Sequence, residues 1–160
     1  MVSEQLEKRI YGIQQIVLKV GHVAERMKRK EAEHMAKWLD RDKMLEWLEQ
    51  NDIFGHLVGD SMHPELLQRA APIFSFLYKQ ERLDEQHIDV LWGTVLHKHE
   101  AVRAALLKTL SEIVQDFSSK DIQIQFERLQ ELQLTDFDPD IFNLLKTMAR
   151  TVIHSAFGIK

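Results

Sequence analysis

The sequence contains no cysteine. That one absence excludes disulfides, thiolate metal centres and a cysteine nucleophile, because each needs a sulfur that can be oxidised or deprotonated. Proline and glycine are scarce, three and six in 160 residues. These are too few for the succession of tight turns that an all-β chain demands, so long helices are expected. Positive charge is not in excess either. Lys and Arg number 21 against 25 Asp and Glu, a formal net charge of -4, which argues against nucleic acid as the general partner, since binding it usually needs a basic face to release counterions. No run approaches the roughly 18 apolar residues of a membrane span. The opening MVSEQLEKRI is charged where a signal peptide carries its apolar core. No membrane partner is expected, and the location expected is cytoplasmic, with a nuclear one as the alternative.

What is present is a folding chain: 44% hydrophobic and 29% charged residues suit a packed core and not disorder. At this size about two-thirds of the unfolded surface is buried on folding. Residues 1–160 read as a single domain and as a segment of a larger protein, since the tail IHSAFGIK is still apolar.

The organising stretch is Leu83–Phe117. Ile88, Leu91, Trp92, Val95 and Leu96 recur at spacings of three and four behind Asp84, a cap, and Val102, Leu106, Leu110, Ile113 and Phe117 form a second stripe. Only His97, Lys98 and His99 separate them, so the two helices form an antiparallel hairpin. Upstream, Ser3 opens a helix with Leu6, Ile10, Ile13, Val17 and Val20, which Gly21 loosens at its end. The run RMKRKEAEH reads as a charged helix or a connector.

Asp40 caps a short helix ending at Asn51, a residue tolerant of left-handed backbone, and Ile53–Val58 makes one or two turns closed by Gly59. Ser61, His63 and Pro64 open the next helix, which Pro72 is expected to kink or divide between Gln68 and Ala71. Ser118 or Ser119 caps a helix through Ile122, Phe126, Leu129 and Leu132, although DIQIQF alternates like a strand. Asp138 and Pro139 start a last helix before Gly158. Helix pairs thus recur about every 35 to 45 residues, the period of HEAT and armadillo units. The fold class expected is all-α, antiparallel helical hairpins stacked as a short α-solenoid.

Candidate sites are few. His97, His99 and Glu100 with His63 and Glu65 have metal-ligand chemistry, but His97 and His99 straddle a turn instead of sharing a helix face, so no metal or other cofactor is expected and Lys98, His99 and Glu100 read as a structural hinge. Arg26, Lys28, Arg29 and Lys30 could bind nucleic acid, against the plainer reading of a solvated charged face. Trp92 belongs to its helix stripe, whereas Trp38, beside the charged run, is the first choice for a partner contact. The acids Asp136, Asp138 and Asp140 sit at a helix start, where carboxylates are stabilised without any catalytic role. No phosphate-binding glycine loop, GxSxG elbow or HExxH helix occurs.

Several of these landmarks fall in one order: Asn51, Ile53, His63 to Leu66, Ile88 to Trp92, and Lys98 to Glu100, preceded by LEKRIYGIQQI from Leu6 to Ile16. The series resembles the non-catalytic helical region of ubiquitin-specific proteases of the fat facets type, with His97 departing from the small residue expected before Lys98. The resemblance implies an armadillo-like arm outside the thiol-protease domain that recruits substrates or regulators of the ubiquitin pathway. It implies no enzyme activity for this chain, which lacks the cysteine nucleophile, and its oligomeric state is left open.

Overall fold

A computed structural model describes residues 4–29, 41–59, 62–97 and 99–157; the proposed caps Ser3, Asp40 and Ser61 and the terminator Gly158 lie outside them. Among the described residues eight α-helices follow one another: α1 Glu4–Arg29, α2 Arg41–Gln50, α3 Ile53–Val58, α4 Pro64–Lys79, α5 Glu85–His97, α6 Glu100–Ile113, α7 Ser119–Gln130 and α8 Pro139–Phe157. Short 3-10 turns occupy Val114–Asp116 and Leu134–Asp136, and there is no strand among the described residues.

The helices form two layers. The most extensive packing joins α4 to α6, then α1 to α4 and α6 to α8, so these four lie side by side. They run in one direction. Thr109 Oγ1 of α6 donates to the Leu67 carbonyl of α4 at 3.0 Å, and further along Ser75 of α4 donates to Asp116 in the 3-10 turn that follows α6. Arg103, near the start of α6, meets the start of α8, donating to the Asp136 carbonyl at 2.5 Å and pairing with Asp138 at 3.1 Å. The return helices α3, α5 and α7 make the second layer. Trp92 of α5 donates its indole N–H to Gln125 of α7, and Arg128 pairs with Asp89 at 2.5 Å. This is the two-layered repeat of an α-solenoid, in which each helix buries its stripe on its neighbours.

The core follows the stripes. Leu66, Leu67, Ile73 and Phe74 of α4 and Leu106, Leu107, Leu110 and Ile113 of α6 are at most 2% exposed, and burial of each such side chain stabilises the fold by on the order of 2 kcal/mol. Ile88, Leu91, Trp92 and Val95 of α5 are buried as well.

Four helix starts carry their predicted caps. The Ser118 hydroxyl accepts the Asp121 N–H at 3.2 Å, and Asp138 accepts that of Ile141 at 2.9 Å. Asp84 accepts the His87 N–H at 3.0 Å while the His87 ring lies 2.6 Å from the same carboxylate. His63 caps α4 through Nδ1, accepting the Glu65 N–H at 3.2 Å, and Pro64 occupies the first turn, where no N–H is needed.

Four local expectations change. Gly21 does not end α1, which continues to Arg29, because Val20, Val23 and Ala24 still pack inward there. Pro72 does not divide α4. Pro72 and Gln68 are both exposed, so the carbonyl that proline deprives of a donor is open to water. The left-handed residue after α2 is Asp52 (φ 43°) and not Asn51, because Asp52 from that conformation accepts the Gly55 N–H at 3.1 Å and so caps α3. The alternating DIQIQF is helix, as expected, but Phe126 of its stripe is 41% exposed, while Ile122, Gln125 and Leu129 face inward.

Candidate interaction surface

Of the predicted contact residues, Trp38 and Lys30 lie outside the described residues, as do the side chains of Lys28 and Arg29. Arg26 is exposed near the end of α1. In the hinge, Lys98 lies outside the described residues. His99 is exposed and is the N-cap of α6 without a side-chain hydrogen bond, its carbonyl accepting the Val102 and Arg103 N–H groups at 2.9 and 3.0 Å, and Glu100 is the first residue of α6. His63 and His99 therefore cap different helices. Among the described residues no three His, Asp or Glu side chains converge on a point.

The polar groups that do cluster are spent on joints. Tyr78, at the end of α4, donates to Asp121 of α7 at 2.5 Å and accepts the Ser118 N–H at 2.8 Å, while the Ser118 hydroxyl donates to the same carboxylate at 2.5 Å. Burial, and after it the hydrogen bond to Asp121, push the Tyr78 phenol above its ordinary value. Burial alone would raise Asp121, but the Ser118 and Tyr78 hydroxyls outweigh it and hold the carboxyl below its ordinary range. Asp116 is shared between Ser75 and Lys79, the latter at 2.8 Å. Both clusters tie α4 to the α6–α7 turn, and neither presents a nucleophile with a base.

Two open features are apolar clefts beside α1. Towards its C-terminal end Val20, Gly21, Ala24 and Met27 face Pro72 and Phe76 of α4 across a cleft of about 380 Å³, to which Ser75, Lys79 and Gln80 add polar groups. Towards its N-terminal end Ile13 and Ile16 face Ile53, Leu57 and Leu66 across about 310 Å³, with Arg9 and His56 supplying the polarity. The two α1 glycines line these clefts, Gly12 the second and Gly21 the first, and a Cβ at either would meet nothing within 4 Å. Sequence reasoning missed the first cleft because Gly21 read as a helix end. The signal that could have found it is the spacing of Val20, Ala24 and Met27, which continues the α1 stripe past the glycine.

Shape and chemistry here describe two open apolar clefts on a two-layered helical scaffold. The UBP24/USP9X/USP9Y ARM repeat matches residues 5–150. The chain is 29% identical over 99 residues to a probable ubiquitin carboxyl-terminal hydrolase FAF of Drosophila melanogaster, covering 61% of the chain. It is 28% identical over 116 residues to ubiquitin carboxyl-terminal hydrolase 9Y of Homo sapiens, covering 72% of the chain, and 31% identical over 91 residues to hydrolase 9X of Mus musculus, covering 56%. Each match spans 4% of the relative's own length. No solved structure matches the chain significantly.

Proposed function

The chain belongs to the UBP24/USP9X/USP9Y ARM repeat family, and from that premise we propose that it is a non-catalytic scaffold segment whose apolar clefts receive protein partners of the ubiquitin pathway. The region matched is a repeat and not a catalytic domain, and the chain carries no cysteine to act as a thiol nucleophile. The observation that carries the reading is the cleft between α1 and α4, where Val20, Ala24, Met27 and Phe76 line a space that the described residues leave unfilled. Apolar walls with a few polar groups are what an inserted side chain of a partner requires.

Gly21→Trp fills this cleft from a position where added atoms meet open space. The immobilised chain is expected to retain ubiquitin-system proteins, identified by mass spectrometry, and Gly21→Trp to lose them while keeping its helical circular dichroism. Retention that survives Gly21→Trp sinks the cleft as the binding site. Absence of any ubiquitin-system protein from the retained material sinks the scaffold reading itself.

A further inference from the structure

A further cleft, of about 200 Å³, lies between the start of α5 and the first turns of α7 and shares no residue with the two beside α1. Leu83, Ile88, Phe117 and Ile124 give it apolar walls, and Gln125, only 3% exposed, lines it as well. The Gln125 side chain has one hydrogen bond among the described residues, which its oxygen accepts from the Trp92 indole. An indole N–H can only donate, so it fixes how the amide is turned: the oxygen faces Trp92 and the NH2 group faces the other way. Trp92 does not line the cleft. The unpartnered NH2 group of Gln125 is therefore turned into it.

One turn earlier on the same face of α7 stands Asp121. The Tyr78 and Ser118 hydroxyls both bind its Oδ2, and its Oδ1 accepts no hydrogen bond among the described residues. A donor and an acceptor thus stand a helical turn apart beside an apolar wall. Two kinds of occupant fail on this pairing. A cation or a hydrocarbon displaces water from the Gln125 amide and returns no acceptor. An anion returns one but meets Glu85 and Asp121, neither of which makes an ion pair among the described residues, and Asp84, which the His87 ring engages, against the one charge of Lys120. A neutral group that accepts at one atom and donates at the next satisfies both sides.

We propose that this cleft binds a neutral primary carboxamide, the side chain of a glutamine or asparagine on a protein partner. The carboxamide oxygen accepts from the Gln125 NH2 group, its own NH2 group donates to Asp121 Oδ1, and its methylenes lie on Leu83, Ile88 and Phe117. The site stands or falls independently of the clefts beside α1.

The test is a titration followed by proton–nitrogen correlation NMR at the Gln125 side-chain amide and the Trp92 indole N–H, the two sides of one hydrogen bond. Blocked amino acids, N-acetylated and C-amidated, share a main chain and differ in side chain: glutamine, norleucine, glutamate and lysine. The glutamine form is expected to shift both signals saturably. The norleucine form, of similar length but without a side-chain acceptor, should bind about tenfold more weakly, the loss of one hydrogen bond to a buried donor. The glutamate and lysine forms should shift neither signal at neutral pH. Gln125→Glu keeps an oxygen for Trp92 but removes the donor, and Ile124→Phe fills the cleft from a half-buried position; each should abolish the ligand-induced shift at Trp92, with circular dichroism verifying the helices. The ligand series on the unaltered chain decides the matter even if a variant fails to fold. Absence of a saturable shift with the glutamine form overturns the proposal, as does a norleucine form that binds equally well, which makes the cleft merely apolar. Free glutamine that binds more tightly than the blocked form overturns the assignment to a protein partner.

Discussion

The indole N–H of Trp92 donates to the side-chain oxygen of Gln125, and both residues are only 3% exposed. This is the polar bond at the centre of the joint between α5 and α7, and it explains why a glutamine occupies a position that the apolar stripe of α7 would otherwise claim. Gln125→Ala leaves the buried indole N–H without an acceptor and is expected to lower unfolding free energy in urea by about 1–3 kcal/mol. Adding Trp92→Phe removes the orphaned donor, so Gln125→Ala with Trp92→Phe should cost less than the two single losses added together.

The Tyr78–Asp121 pair predicts opposing pH limbs. Asp121 lies below its ordinary 3.8, so its contribution is present above that value and is lost as pH falls through the folded value. Tyr78 lies above its ordinary 10.0, so its contribution is present below that value and is lost as pH rises through the folded one. Urea midpoints followed across pH should therefore fall at both extremes. Asp121→Asn should flatten the acid limb, and Tyr78→Phe should flatten the alkaline one.

Gly12→Ala and Gly21→Ala test whether the helical glycines of α1 have any structural purpose. A Cβ meets nothing at either site, so each replacement is expected to stabilise the fold by about 0.5–1 kcal/mol through the helix term alone. Gly55→Ala should do the reverse. There the Cβ would fall 2.3 Å from the Asp52 carboxylate that caps α3, and loss of that cap is expected to cost about 1 kcal/mol. Thermal melts of the three variants separate the two cases.

Arg103 holds the start of α8 through the Asp136 carbonyl and the Asp138 carboxylate. Its side chain is only 24% exposed, so the pair is screened less than a surface one. Arg103→Ala is expected to lower stability by about 1 kcal/mol, and amide exchange should show the loss concentrated in the first turns of α8.

The hairpin of α5 and α6 was legible because Ile88, Leu91, Trp92 and Val95, then Leu106, Leu110 and Ile113, repeat at the helical period, and a stripe of that width has to be covered. Asp84, His63, Ser118 and Asp138 were legible as helix starts because their groups satisfy N–H groups only a few residues away. Gly21 misled for the opposite reason: its propensity is local, whereas the packing of Val20, Val23 and Ala24 carries α1 past it, and at Pro72 exposure to water lets α4 continue undivided. Phe126 was placed inward by spacing alone; the structure turns it out and brings Gln125 in to meet Trp92.

By itself, then, the order of residues determined that this is an all-helical repeat without cysteine chemistry, and where most helices begin, because caps, prolines and apolar periods act over one or two turns. The tertiary structure decided which helices lie side by side in one direction and which clefts stay open beside α1. Those are contacts between residues some forty positions apart, such as Leu67 with Thr109 or Tyr78 with Asp121, and no local pattern encodes them.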